Sequence, residues 1–198
     1  MTKDLFHRLD SFYDETEEKK QEVLRSILMY GNSHTQELKQ LIYDQKFDDI
    51  NHLAIFYEAL SEDMEKWGDF FLAELKRLLD KAHQSAKPDS ILNHLKELAF
   101  IDSESFKHRG EFIEILKKEL DNPHPTFRYY AIWTLSDFID KNDSAMIGRI
   151  KEHLNDPDWR IRYWTHIIMR DLDGSDNAYK ITWLDRLRAT FLNALKFE

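Results

Sequence analysis

LDNPHPTFRYYAIWTLSDF, residues 120–138, is answered 34 residues later by LNDPDWRIRYWTHIIMRDL, residues 154–172. Five positions recur in register: Leu120/Leu154, Pro123/Pro157, Arg128/Arg162, Tyr129/Tyr163 and Asp137/Asp171. Each copy reads as a helix ending at its leucine, a proline-containing joint and a second helix. Pro125 suits the first position of that second helix, where its missing N–H costs nothing. Asp158 is a good N-cap for the equivalent helix of the second copy. A period in the thirties marks a helical-hairpin repeat, in which each unit buries its apolar side against its neighbours.

Outward from this pair, apolar residues keep helical spacing, and no alternating strand stands out. Met64, Trp67, Phe71, Leu75, Leu78 and Ala82 form one stripe on a long helix. Similar stripes lie in 23–30, 38–42, 50–60, 91–99, 112–120, 145–154 and 181–195. Breakers fall between them. Gly31 stands where a C-terminal cap is expected, and Ser33 with Gln36 reads as a capping box for the next helix. Pro88, with Asp89 and Ser90 behind it, separates two more, and Gly174, Ser175, Asp176 and Asn177 end one helix and cap the last. The expectation is about ten helices with tight connections and no linker.

Composition narrows the function classes. The 198 residues include no cysteine, which excludes thiol catalysis and Cys-ligated zinc. The opening MTKDLFHRLD has acids and polar residues where a leader needs an apolar stretch, and no apolar run has the length of a membrane span. A soluble cytoplasmic protein with no membrane association is the expectation. The net charge of −9 argues against a general polyanion binder and so against a nucleic-acid partner. It is unevenly spread: residues 1–102 carry 13 Lys+Arg and 21 Asp+Glu, whereas 103–198 carry 15 and 16.

The joint LNDPDWRIR resembles that of the HEAT-repeat family: a leucine, an acid–proline turn, then an apolar–arginine pair opening the second helix. Asp156, Pro157, Ile161 and Arg162 stand in the family positions. The first copy fits at Phe127 and Arg128 but has Asn122 and His124 where acids are expected. The resemblance spans about residues 112–172. It implies an all-α fold, an α-solenoid or HEAT-like superhelix of antiparallel helix pairs. It also implies that Arg162 and Arg128 bond to turn acids and hold successive repeats in register. The whole chain then reads as a single helical-repeat domain. Residues 1–102 form an acidic cap or degenerate repeats, 103–175 the HEAT-like repeats, and 176–198 a C-terminal capping helix.

In such a unit the second helix lines the inner face. With Phe127, Ala131, Leu135 and Phe138 buried, Tyr129, Ile132, Trp133 and Ser136 point outward, and Tyr163, His166, Ile167 and Arg170 form the equivalent set. Tyr129 and Trp133, four apart, share one side of their helix. Stacking places Tyr163 and Ile167 beside them. Trp, Tyr and Arg dominate binding hot spots because they give large contact area at small entropy cost. Tyr129, Trp133, Asp137, Tyr163, His166, Ile167 and Arg170 are therefore the candidate binding residues.

Catalytic signatures are missing. Nine histidines give no His-x-x-x-His and no Glu-x-x-His pair. DLDGSDN, residues 171–177, lacks the glycine and glutamate of a calcium loop at their required positions. No phosphate loop or nucleophile elbow occurs. No catalytic residue, metal ligand or cofactor is expected. The function expected is that of a non-enzymatic scaffold binding another protein on its inner face. The alternative is nucleic-acid binding, or a HEAT-like DNA alkylation-repair glycosylase using Trp133, Asp137 and the arginines of the second half.

Overall fold

The computed structural model describes residues 9–44, 50–101, 104–139, 142–173 and 181–195. Among them every regular element is helical. The helices are α1 (Glu17–Ser33), α2 (Thr35–Tyr43), α3 (Ile50–Ser61), α4 (Met64–His83), α5 (Pro88–Leu92), α6 (Arg109–Glu119), α7 (Pro125–Ser136), α8 (Ser144–Lys151), α9 (Trp159–Asp173) and α10 (Trp183–Leu195). Short 3-10 turns lie at Phe12–Asp14, Lys96–Phe100 and Glu152–Asn155. None of the described helices is long and apolar enough to cross a membrane. The chain groups into two compact units, residues 1–112 and 113–198.

In the first unit α3 is the most enclosed element. Leu53, Ala54, Ile55, Phe56, Tyr57, Ala59 and Leu60 are all buried, as befits a helix apolar on nearly every side. It packs against α1, α4 and the 96–100 turn. The stripe from Met64 to Ala82 faces this core, with every one of its six residues buried. Asp63 caps α4 by accepting the Lys66 N–H at 3.2 Å, while Lys81 and His83 suit its carbonyl end.

Three local expectations are corrected here. Gly31 does not end a helix; α1 runs on to Ser33. A Cβ at Gly31 would lie 2.8 Å from Leu38 Cδ2, 3.0 Å from Leu60 Cδ2 and 3.1 Å from Trp67 Cζ2. The glycine is there for close packing. Ser33 makes no capping box either: its hydroxyl donates back to the Met29 carbonyl at 3.0 Å. The stripe at 91–99 is likewise not one α-helix. It breaks into α5 and a 3-10 turn. Leu92, Leu95 and Leu98, all buried, step strictly by three, which matches three residues per turn better than 3.6.

One polar network lies inside this unit. Glu74, only 1% exposed, accepts a fork from Arg77 at 2.6 Å on each oxygen and the Tyr57 hydroxyl at 3.1 Å. The Arg77 guanidinium also lies 5.1 Å from the centre of the Tyr43 ring. Burial pushes the Tyr57 hydroxyl well up, and the Glu74 charge adds to it. The network ties α3 to α4 with the carboxylate's oxygens engaged, the condition under which a buried charge is tolerated.

In the second unit α7 packs on α9, and α9 also meets α8 and α10. The two joints share one bonding scheme. Asn122 Oδ1 accepts the His124 N–H at 2.9 Å, and Asp156 Oδ1 accepts the Asp158 N–H at 2.8 Å. Each is an Asx turn across a proline. It needs a carbonyl-type oxygen rather than a charge, so asparagine serves at 122. Arg128 donates from Nη1 to the Asn122 and Pro123 carbonyls at 2.7 and 3.0 Å. Arg162 does the same to Asp156 and Pro157 at 2.7 and 3.0 Å.

The other edge of each guanidinium points forward along the chain. Arg128 forks onto Asp156 at 2.8 and 2.9 Å, and Arg162 onto Asp185 at 3.1 and 2.9 Å. Burial alone would raise the carboxyls of Asp156 and Asp185. The arginine forks, helped by the Asp158 N–H and the Thr182 hydroxyl, instead hold both below the ordinary carboxylate value. Gly174, Ser175, Asp176 and Asn177, expected to cap the last helix, lie outside the described residues. Within them, Thr182 does that work, its hydroxyl accepting the Asp185 N–H at 3.1 Å.

Candidate binding face

The forks fix α7 and α9 as neighbours, and the aromatic residues meet across that contact. Trp133 and Trp164 lie 4.1 Å apart at their ring centres, tilted by 69°. Tyr129 stands 6.3 Å from Trp133 on one side. Tyr163 stands 5.7 Å from Trp164 on the other, edge to face at 87°. The Tyr130 ring, buried, closes the row 4.9 Å behind Tyr129. Edge-to-face pairs of this kind are favoured by the ring quadrupole. Arg160 places its guanidinium 5.9 Å from the Tyr129 ring centre while bonding to Asp158 at 2.9 Å.

The row is half-open. Tyr129, Trp133, Tyr163 and Trp164 are each neither buried nor fully exposed. Trp133 and Tyr129 are thus brought together directly, and Tyr163 joins them through Trp164. Trp164 was not among the residues singled out in the sequence, and Arg160 was named only with the arginines of the nucleic-acid alternative. The signal was there: each copy carries two adjacent aromatics, Tyr129–Tyr130 and Tyr163–Trp164. The 34-residue register pairs Trp164 with Tyr130, yet in space it is Trp133 that Trp164 meets.

The remaining candidates are more scattered. Ile167 and His166 are half-buried on α9, and Arg170 is exposed, with its Nε 3.5 Å from Asp171. His166 Nδ1 is buried with no hydrogen-bond partner among the described residues. Burial lowers the pKa of that ring below the ordinary histidine value, against the pull of the nearby Asp185 charge. Asp137 is exposed at the C-terminal cap of α7. Lost hydration raises its carboxyl pKa, opposed by the Ser136 hydroxyl. Ile132, expected to point outward, is instead 1% exposed. Of the side chains of α7, Pro125, Arg128, Tyr129, Trp133 and Ser136 are half-open and the rest are buried, with Asp137 exposed at its end.

Comparison of the chain with protein-family models, curated proteins and solved structures finds no match. The site is therefore read from its own chemistry. Among the described residues no group of three or more His, Asp or Glu is placed to hold a metal ion. In the first unit an open cleft of about 700 Å³ is lined by Ser61, Glu62, Asp63, Met64, Glu65, Ser105 and Lys107. Its acids are solvated helix-end residues around the start of α4. No histidine lines it to act as a base, and no nucleophile–base pair is formed there.

The arginines of the second unit are mostly engaged. Arg149 bonds Asp121 at 2.7 and 2.8 Å and Glu152 at 2.5 Å. Arg128, Arg160 and Arg162 hold the acids already named, and Arg188 lies 3.7 Å from Asp185. These are internal pairs whose charges are locally neutralised. They do not make the continuous basic stripe that a phosphate backbone requires.

Proposed function

We propose that this chain is a non-enzymatic α-solenoid of the HEAT-repeat kind, a scaffold that binds a partner protein on the inner face of its C-terminal repeats. The observation that carries the reading is the half-open row Tyr129–Trp133–Trp164–Tyr163, which runs across two successive second helices. Rigid aromatic rings held at a helix–helix contact supply preorganised contact area, the property that makes Trp and Tyr dominant in hot spots. The two equivalent joints, each with an arginine holding its own turn and the next aspartate, support the repeat assignment. Tyr163, Ile167 and Arg170 extend the face along α9, and Asp137 marks its end on α7.

The nucleic-acid and alkylation-repair alternative draws on Trp133, Asp137 and nearby arginines. The ion pairing of Arg149, Arg160, Arg170 and Arg188 with acids weighs against it.

The test is the double variant Trp133→Ala/Tyr163→Ala. Its helical circular dichroism should be unchanged, whereas a partner captured by the wild type and identified by mass spectrometry should be lost. A collapse of the folded signal would place these rings in the core and sink the proposal. Duplex DNA binding with steep salt dependence would favour the alternative instead.

A further inference from the structure

Three helices of the second unit open in the same way. His124, Asp158 and Thr182 each accept a backbone N–H of the first turn of α7, α9 and α10. Four residues after each cap stands an arginine: Arg128, Arg162 and Arg186. The first two are closed by an aspartate further along the chain, Asp156 and Asp185, whose side chains are only 4% and 3% exposed. Arg186 departs from the pattern. It is exposed, and its guanidinium has no hydrogen bond or ion pair among the described residues.

The side chains around Arg186 are open as well. Trp183 is 75% exposed, Leu184 42% and Leu187 45%. The residues at the corresponding places in α7 (Pro125, Thr126, Tyr129) and α9 (Trp159, Arg160, Tyr163) are buried or half-buried. At 3.6 residues per turn, Arg186, Trp183, Leu187 and Leu184 fill one continuous arc of roughly 160°. The opposite side of α10 carries Asp185 and Ala189, both buried. So from Trp183 to Thr190 α10 is used on one side and open on the other, and the open side has the same arginine that α7 and α9 close.

We propose that the open side of α10 docks an amphipathic helix of a partner protein. That helix presents an aspartate in or just before its first turn to Arg186 and lays its apolar side on Trp183, Leu184 and Leu187. The chemistry of the occupant follows from the two closed examples. Asp156 comes from the turn before a helix and Asp185 from the third residue of one, and both give the same two-oxygen fork. A planar guanidinium reads such a carboxylate bidentately, which sets orientation as well as affinity. This surface is independent of the aromatic row, so either can fail alone.

The probe is a synthetic peptide of residues 181–195, whose first turn already closes the Arg162 fork. A hydrocarbon staple across Arg186 and Thr190, both exposed in the chain, holds it helical. Titrated into the full chain and followed by fluorescence anisotropy, it should bind saturably. Arg186→Gln in the protein should weaken binding about tenfold, as loss of a charge-assisted fork does. An Asp185→Asn peptide should lose the same factor, and the two losses should not multiply. Leu187→Asn in the protein should weaken binding too. Because the Arg186 side chain holds nothing among the described residues, its variant should melt like the wild type.

No binding, or binding indifferent to Arg186→Gln, overturns the proposal. So does binding that depends on Arg162 instead, because the peptide would then be replacing α10 itself. Concentration-dependent self-association in sedimentation velocity that Arg186→Gln abolishes would assign the surface to a second copy of the chain and overturn the partner-helix reading.

Discussion

Both units bury an arginine fork, yet the forks do different work. In the first unit Arg77 and Glu74 lie three residues apart on α4, and the pair reaches other helices through the Tyr57 hydroxyl and the Tyr43 ring. In the second unit the paired residues are 28 and 23 positions apart, and each fork joins one helix to a later segment. The first arrangement neutralises a charge inside a core that apolar packing already defines. The second is itself the connection between successive elements. Identical chemistry stabilises a core in one place and fixes register in the other, and only chain separation tells the two apart.

The largest test of that contrast removes a rung. Arg128→Met leaves Asp156 buried without its partner and frees the Asn122 and Pro123 carbonyls. It should cost about 3–5 kcal/mol in chemical denaturation, the range for breaking a buried pair from one side. Near-neutral behaviour would show that apolar packing alone fixes the joint.

Acid should separate the units next. Asp156 and Asp185 sit below their ordinary value of 3.8 when folded. Their contribution is complete above that value and is lost as pH falls through the folded values, because the unfolded chain takes up protons first. His166 and, in the first unit, His94 are lowered by burial from 6.5. Each is neutral and harmless above 6.5, and stability drops as pH falls below it. Asp185→Asn should flatten the acid limb of the stability–pH curve below about pH 4. A curve identical to wild type there would mean that the fork is not formed in solution.

The smallest pair of changes should differ in sign. Gly31→Ala in the first unit puts a methyl against Leu38, Leu60 and Trp67 and should destabilise by about 1–3 kcal/mol. Gly148→Ala, in α8 of the second unit, meets nothing within 4 Å. Relief of the glycine's entropy cost should raise stability by about 0.5–1 kcal/mol. Thermal melts of the two variants suffice; equal signs would contradict the packing described for one of them.

What the sequence disclosed follows the same division. Helix periodicity located α1 to α4 and α6 to α10, because a single apolar side is enough to reveal a 3.6-residue period. It misread Gly31, since a glycine required by three distant side chains looks locally like a helix terminator. It misread 91–99, since three leucines spaced by three satisfy an α-helix nearly as well as a 3-10 turn. The joint arginines were legible because the motif is local, whereas their acceptors, Asp156 and Asp185, needed the third dimension. At the candidate face, the adjacency of Tyr129 and Trp133 was legible from their spacing on one helix. Trp164 was missed because the contact between helices is offset from the sequence register.

Asp156 serves both joints. Its carboxylate receives Arg128, and its backbone carbonyl receives Arg162. Displacing this residue therefore disturbs the element before it and the element after it at once. Nearest-neighbour coupling of that strength turns an array of helices into one cooperative unit. Hydrogen exchange through α7 and α9 should accordingly report a common opening free energy, with fraying confined to the ends.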